Sequence, residues 1–379
     1  MDRSGFTDVA RIRRLVRASG LDGVVATAPE NVTHTSGYYN LDQRLLPEHL
    51  HACVWPAEGE PVLIIPARER RLETFIQDVR THQIYGCGES QEEGLDLLAE
   101  ALRERGLGRG RIGVDLQQLP GSHLRGLEAR LPEATFVDAT DAFGRMRLVK
   151  TTAEIELLRR AALATERAIA LGYAQARPGD TEKSIVDVMD YYTVRLGGEA
   201  VAFNVIASGP RLVLGHHRGE PVSIRTGDLL RVDYGGLFDG YFTDLARMAV
   251  VGPPSERQRA IYANCVEIQR RCLEALRPGV TGSDLYEVAC QAYRAAGLPV
   301  TRSMFGHSIG LSVHERPIFC RGDDWALEPG AVVCVENGLT DLEHQERYHL
   351  EDMALITSTG HELLSTYTNT STLFVIDER

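Results

Sequence analysis

The chain has 379 residues, with 41 Lys and Arg against 53 Asp and Glu, a formal net charge of −12 and a pI near 5.5. Hydrophobic residues make up 43% and charged residues 25%, the balance of a soluble globular protein with room for two domains, which sets aside collagen-like, coiled-coil and disordered classes. The acidic balance without a basic block argues against a nucleic-acid partner, and no uncharged apolar run reaches the roughly 18 residues that would suggest a membrane span.

The opening MDRSGFTDVARIRRLVR has no apolar core of a signal peptide. It reads as an exposed start and an amphipathic helix, with Val9, Ile12, Leu15 and Val16 on one stripe. Cys53, Cys87, Cys265, Cys272, Cys290, Cys320 and Cys334 are widely spaced, without a CxxC pair. Reduced thiols in the cytoplasm fit them better than a disulfide framework or zinc knuckle. GVVAT at 23–27 predicts a short buried strand, and HACVWP and PVLIIP predict two more around a turn-rich AEGEP. Helical patterns cover 68–77 and 91–105, and IGVD predicts a strand at 112–115. Gly108, Gly110 and Gly113 satisfy GxGxxG but follow a helix and lead into a strand, the reverse of a dinucleotide-binding turn. Residues 1–146 are thus expected to form an α/β domain without a metal-ligand cluster.

Residues 147–379 form the second expected domain. TTAEIELLRRAALATERAIALGYAQA predicts a long amphipathic helix with Thr at its start. Arg177-Pro178-Gly179-Asp180-Thr181 then recurs as Arg277-Pro278-Gly279-Val280-Thr281, an offset of 100. TGDLLRVDYGG at 226–236 recurs as PGAVVCVENGL at 329–339, an offset of 103. Each copy is a Gly turn followed by an apolar strand ending in a carboxylate, Asp233 or Glu336. YFTDLARMAV and YHLEDMALIT pair loosely and place Asp244 and Glu351 in strand-like runs.

Burying a carboxylate without a partner costs several kcal/mol or neutralises it. Two divalent cations would neutralise four convergent carboxylates, as in two-metal hydrolytic sites, whereas acids at strand ends can equally be caps or turn residues. His307 in FGHSIGLSVHERP, flanked by Gly306 and Gly310, is the leading imidazole; His314 follows seven residues on, and His216 lies beside His217 in GPRLVLGHHRGEP. One imidazole among oxygen ligands suits Mn, Fe, Co or Zn.

These residues resemble the pita-bread metallopeptidases, the family of prolidase, aminopeptidase P, methionine aminopeptidase and creatinase. VDYGGLFDGYFTDLARMAVVG matches the family spacing of Asp233 and Asp244, GHSIGLSVHERP matches it at His307 and His314, and Glu336 and Glu351 match the last two ligands. His216 falls where the family has a second active-site histidine. The N-terminal region resembles the creatinase/prolidase leader domain, with NVTHTSGYYN near the family's tyrosine-glycine turn. Methionine aminopeptidase lacks that domain, and creatinase does not keep the full ligand set.

The resemblance implies an α/β N-terminal domain plus an α+β pita-bread domain, the duplicated creatinase/aminopeptidase fold. It implies two divalent metal ions, manganese first, with cobalt, zinc or iron as alternatives, sharing a bridging water. Asp244 and Glu351 would bridge them, Asp233 would hold one, and His307 and Glu336 the other. Glu336 would also carry the water's proton to the leaving nitrogen, and His216 and His314 would orient the scissile group. Three positions depart from the family pattern, Asn337 for a proline, His349 for an arginine with Arg347 two residues earlier, and Asn204 for an aspartate, and the first two, beside ligands in sequence, bear on substrate class. With Asn337, His349 and Arg347, the residues His217, Tyr241 and Thr243 complete the candidates for substrate or supporting contacts. The implied activity is an Xaa-Pro dipeptidase or aminopeptidase acting on a small C–N bond. Alternatives are a non-peptide amidine or amide hydrolase of a compatible solute, ectoine hydrolase- or creatinase-like, and a catalytically silent scaffold. The expected partners are a small peptide or small molecule and a second copy of the chain, met through Tyr38, Tyr39 and Arg44, with no nucleic acid and no membrane.

Overall fold

The apolar stripe of the first helix finds its partner in a mixed sheet. The computed structural model describes residues 4–46, 49–83 and 89–377, the side chains of 42 and 89–91 apart; Cys87 lies outside them. The chain divides into two units, Met1–Glu154 and Ile155–Arg379. The sequence boundary at 146/147 falls in the last turn of a helix of the first unit.

In the first unit, β1 (Gly23–Ala26), β2 (Ala52–Pro56), β3 (Val62–Pro66), β4 (Asp78–His82), β5 (Arg111–Val114) and β6 (Thr135–Asp138) form a six-stranded sheet ordered β4-β3-β2-β1-β5-β6. Its helices are α1 (Val9–Ala18), α2 (Pro29–Ser36), α3 (Asp42–Leu45), α4 (Glu89–Glu104), α5 (Gly121–Arg130) and α6 (Thr140–Leu148). Alternate strand residues serve opposite faces. Val25, Val54 and Ile64 pack with Leu98, Leu102 and Leu127 of α4 and α5. Val24, Cys53 and Leu63 pack with Ile12, Val16 and Met146 of α1 and α6. GxGxxG serves packing: it lies between α4 and β5, and a Cβ on Gly113 would come within 2.5 Å of Leu21 and 2.7 Å of Ala139.

The helix expected over 68–77 does not form; a 3-10 turn at Ala67–Glu69 is what the described residues show there. Tertiary bonds outcompete the helical pattern: Glu69 is drawn inward by Tyr38 and His51, while Thr74 Oγ1 and Phe75 N donate to Ser36 O at 2.6 and 3.2 Å. Tyr38 is fully buried and donates to Glu69. This corrects its place among the surface contacts expected for a second copy, since it presents nothing to one; Tyr39 and Arg44 are half-buried.

The second unit carries α7 (Thr152–Gln175), α8 (Glu182–Arg195), α9 (Glu256–Glu274) and α10 (Gly282–Ala295). Its strands are β7 (Ala200–Ser208), β8 (Leu229–Phe238), β9 (Tyr241–Phe242), β10 (Leu245–Val251), β11 (Met304–Ser308), β12 (Glu315–Cys320), β13 (Val332–Asp341), β14 (Glu346–Ile356), β15 (His361–Leu363) and β16 (Phe374–Ile376). They form one sheet with the path β12-β11-β13-β14-β10-β8-β7. The repeat is structural: Thr181 and Thr281 cap α8 and α10 through matching capping boxes. Gly227 and Gly330, at φ 90° and 91°, make the turns into β8 and β13, a conformation that only glycine takes without strain. Each half supplies strands to the shared sheet, and the halves meet where β10 pairs with β14 and with β16. Among the described residues no helix is long and apolar enough to cross a membrane.

Candidate metal centre and active site

Cross-strand partners share a sheet face, and the register turns four strands into a row. Asp233 on β8 pairs with Ala246 on β10, Ala246 with Glu351 on β14, and Glu351 with Glu336 on β13. Asp244, two residues before Ala246, returns to the same face, and Ala246 in the middle leaves the space between the acids open. His307 on β11 pairs with Cys334, two residues from Glu336. The five residues matched to metal ligands in the sequence therefore converge.

Their atoms are close enough to share ions. Ligand oxygens of Asp233, Asp244 and Glu351 lie within 4.8 Å of one another, as do ligand atoms of Asp244, His307 and His314, and of Glu336, His349 and Glu351. His307 Nε2 stands 3.7 Å from Asp244 and 3.5 Å from Glu351. Its Nδ1 lies 3.1 Å from the Ser308 carbonyl, so a proton there leaves the Nε2 lone pair facing the acids. Burial, then the charges of Glu351, Asp233 and Glu336, push the Asp244 carboxyl well above the usual carboxylate range. Burial and the same crowding do this to Glu351. Asp244 Oδ1, Glu351 Oε1 and His349 Nδ1 are buried without a hydrogen-bond partner among the described residues. Unsatisfied buried acceptors in a like-charged cluster are the donor set a divalent cation requires, and the residues fit one.

Glu336 behaves differently. Burial raises its pKa, but the hydrogen bond from His349 Nε2 at 3.1 Å and the charge of Arg302 outweigh it, and the carboxyl is held below its ordinary range. It stays ionised where Asp244 and Glu351 are pushed toward neutrality.

The candidate ligands rest on a second, buried network. Arg247 on β10 donates to Glu166 of α7 at 2.7 Å, to Asp352 at 2.9 Å and to the Glu351 carbonyl at 2.6 Å. Gln269 of α9 donates to Asp352 at 2.9 Å and accepts from Asn337 Nδ2 at 2.9 Å. Asn337 thus faces helix α9, on the opposite side of β13 from Glu336. Thr243 Oγ1 accepts from Gly236 N at 2.9 Å and meets Thr165 at 2.8 Å, bracing the approach to Asp244.

The row opens on a cavity of about 570 Å³, lined by Phe203, Val205, Met304 and Val313 on its apolar side and by Arg302 and Arg347 among its polar groups. His216 and His314 stand exposed at its edge, and His314 stacks 4.1 Å from the His307 ring. Burial, then the charge of His307, lowers the pKa of His314. Arg231 donates to the Gly215 carbonyl at 2.7 Å and so fixes the loop that carries His216. His349 and Arg347 line the cavity, but His217, Tyr241, Thr243 and Asn337 do not. His217 faces Glu220 at 3.5 Å, Tyr241 is buried in β9, and Asn204 turns away to donate to Asp190 at 3.0 Å. Arg302 escaped the sequence reading; its one signal is a cation five residues before His307.

Residues 156–358 match the model of metallopeptidase family M24, and residues 9–149 that of the creatinase/prolidase N-terminal domain. An Xaa-Pro dipeptidase of Lactobacillus helveticus is 27% identical over 364 residues, covering 95% of this chain and 96% of its own. The solved structure of dipeptidase PepE from Mycobacterium ulcerans is similar at a TM-score of 0.83 and 28% identity, covering 97% of this chain and 96% of that one. The X-Pro aminopeptidase of Thermotoga maritima is similar at a TM-score of 0.80 and 27% identity, covering 97% of this chain and all of that one (100%).

Proposed function

The chain belongs to metallopeptidase family M24, and on that footing we propose that it is an Xaa-Pro peptidase that works with two divalent cations, manganese first among them. The observation that carries this is the row Asp233, Ala246, Glu351, Glu336, with Asp244 and His307 closing it, under one cavity. Asp233, Asp244, His307, Glu336 and Glu351 would hold the ions, which when bound supply Lewis acidity toward the scissile carbonyl and an acidified water.

The chain's own residues do the rest. Glu336, kept ionised by His349 and Arg302, takes the water's proton at its carboxylate and delivers it to the departing nitrogen. His314 and His216 reach the cavity edge from two different loops, and a neutral imidazole N–H there can donate to the carbonyl oxygen as charge develops. Phe203, Val205, Met304 and Val313 give a pyrrolidine ring an apolar seat and exclude water from it. We extend the reading to a cytoplasmic homodimer, with Tyr39 and Arg44 as candidate contacts.

The test is turnover of Xaa-Pro dipeptides, Xaa-Pro-Yaa tripeptides and small cyclic amidines by protein loaded with Mn, Co or Zn, with metal counted by elemental analysis. Cleavage of the peptides with two ions per chain is expected. Turnover confined to the amidines would replace the peptidase reading with the compatible-solute hydrolase. Light scattering at micromolar concentration checks the dimer, and a mass near 42 kDa would refute it.

A further inference from the structure

Cys334 lies on β13 two residues before Glu336, and its cross-strand partner on β11 is His307. Such partners carry their Cβ atoms about 4.5–5.5 Å apart on one face of the sheet. The thiol sulfur, a ring nitrogen of His307 and a carboxylate oxygen of Glu351 accordingly lie within 4.8 Å of one another. The three residues are 0, 1 and 2% exposed, so water does not satisfy them. His307 and Glu351 line the cavity, whereas Cys334 is no part of its wall. Among the described residues the thiol's hydrogen bond is a weak one, donated to the Asp244 carbonyl at 3.8 Å.

Glu351 Oε1 has no hydrogen-bond partner among the described residues, and His307 Nε2 stands 3.5 Å from it. With a proton on Nδ1, toward the Ser308 carbonyl, two lone pairs face each other, an arrangement that a cation between them would relieve. An ion seated there is within reach of Cys334 Sγ. Zinc bonds of about 2.3 Å to sulfur and 2.0–2.1 Å to imidazole would set those donors roughly 3.6 Å apart at a tetrahedral angle, so closure needs a shift on the order of 1 Å. A thiolate, a carboxylate and a neutral imidazole cancel the charge of a divalent cation, and sulfur draws the softer ones. The neighbouring group, Asp233, Asp244 and Glu351, offers oxygen alone and suits a hard ion. Among the described residues no other cysteine joins such a group.

We propose that Cys334 is a sulfur donor of the metal centre, taken up by a thiophilic ion such as zinc or cadmium seated between His307 and Glu351, and left as a thiol by manganese. The bond that forms joins the metal to Sγ; the bond that breaks is S–H, and its proton leaves to solvent. One of the two positions therefore holds thiophilic ions against manganese, and a manganese-loaded chain gives up one ion to them. The inference rests on the assignment of His307 and Glu351 as ligands proposed above, and is independent of the substrate.

The experiment strips the full chain of metal and reloads it with one equivalent of zinc, cadmium or manganese, as the native protein, Cys334→Ser and Cys334→Ala, with melting temperature alongside. X-ray absorption on the zinc form identifies the donors, the ultraviolet sulfur-to-cadmium charge-transfer band reports the thiolate in solution, and competition titration gives affinities. Native zinc should show one sulfur at about 2.3 Å together with imidazole scattering, and native cadmium should show the band. Both signals should vanish in the variants. Cys334→Ser should weaken zinc and cadmium by roughly 100-fold or more, since losing a mere supporting contact already costs roughly 10–100-fold, and manganese by less than about 3-fold. Zinc bound through imidazole and oxygen without sulfur overturns the proposal and leaves the centre standing. Sulfur without imidazole, or a band that survives both variants, puts the ion at another cysteine and equally overturns it. Manganese lost in parallel with zinc from a well-folded Cys334→Ser shows a structural role and overturns it too. Should the variants fold poorly, sulfur and imidazole on the same ion of the native chain still decide, because among the described residues His307, Cys334 and Glu351 are the group that offers both. Failure of the native chain to bind any ion overturns the centre and this proposal together.

Discussion

Replacing Arg247 by methionine tests whether the network behind the site is what holds its ligands. Arg247 is 4% exposed and donates to two buried carboxylates, Glu166 and Asp352, at 2.7 and 2.9 Å, and to the Glu351 carbonyl at 2.6 Å. Methionine fills much of the volume but leaves both acids without their cation. Breaking a buried pair from one side costs about 3–5 kcal/mol. Taking about 4 kcal/mol for a unit spanning Ile155–Arg379, the melting temperature should fall by about 8–16 °C. Because the Glu351 carbonyl loses its anchor, metal affinity should fall as well. Differential scanning calorimetry and elemental analysis read the two effects. The variant Arg247→Met/Glu166→Gln/Asp352→Asn should recover most of the loss, since its cost lies in uncompensated charge. A fall of less than about 3 °C in the single variant, with full metal content, would refute the reasoning.

Asp244→Asn should abolish turnover, and in metal-free protein it should raise the melting temperature, because it removes a buried carboxyl that burial and the charges of Glu351, Asp233 and Glu336 disfavour; retention of most activity would rule out Asp244 as a ligand. His349→Arg should keep the metal and change the ranking of substrates by adding a cation beside Glu336; loss of metal would show that His349 is itself a ligand. Glu69 should give the first unit an acid-labile component. Burial alone would raise its pKa, but hydrogen bonds from His51 and Tyr38 hold it at about 2 against an ordinary 4.5. That depression contributes about 3 kcal/mol, present above pH 4.5 and lost as pH falls toward 2. Glu69→Gln should flatten the fall in melting temperature across that window, and an unchanged profile would contradict it.

The duplicated strands made most of the centre legible. An acid ending each apolar strand, repeated at a fixed offset, forecasts the row of Asp233 and Glu336, and parity alone places Cys334 on the face of Glu336. Parity also turns Asn337 away from the cavity, although its adjacency to a ligand suggested a substrate contact. What escaped depends on partners distant in sequence. Arg302 matters because it meets Glu336, 34 residues on. Tyr38 looks like a loop aromatic until Glu69, 31 residues away, buries it. The helical pattern over 68–77 yields to bonds that Thr74 and Phe75 donate to the Ser36 carbonyl, which no local propensity encodes. The arginine that the resembling family places two residues before its last ligand is replaced here by a histidine whose pKa burial lowers. Arg302 supplies a cation to Glu336 from the segment just before β11, and the single-residue comparison of the sequence could not reveal that transfer.

The halves meet through Ala246 and Glu351, and neither carries all five of the proposed ligands. Asp233 and Asp244 come from the first, His307, Glu336 and Glu351 from the second. On the proposed ligand assignment, a chain still being synthesised holds two of the acids and lacks the rest of the set until β14 is made and docked, so activity is expected only after synthesis reaches that strand. The same logic makes the halves mutual cofactors. Separately expressed pieces divided within residues 252–255 are expected each to be inert, and remixing them would reconstitute metal binding only by rebuilding the pairing of β10 with β14 and β16.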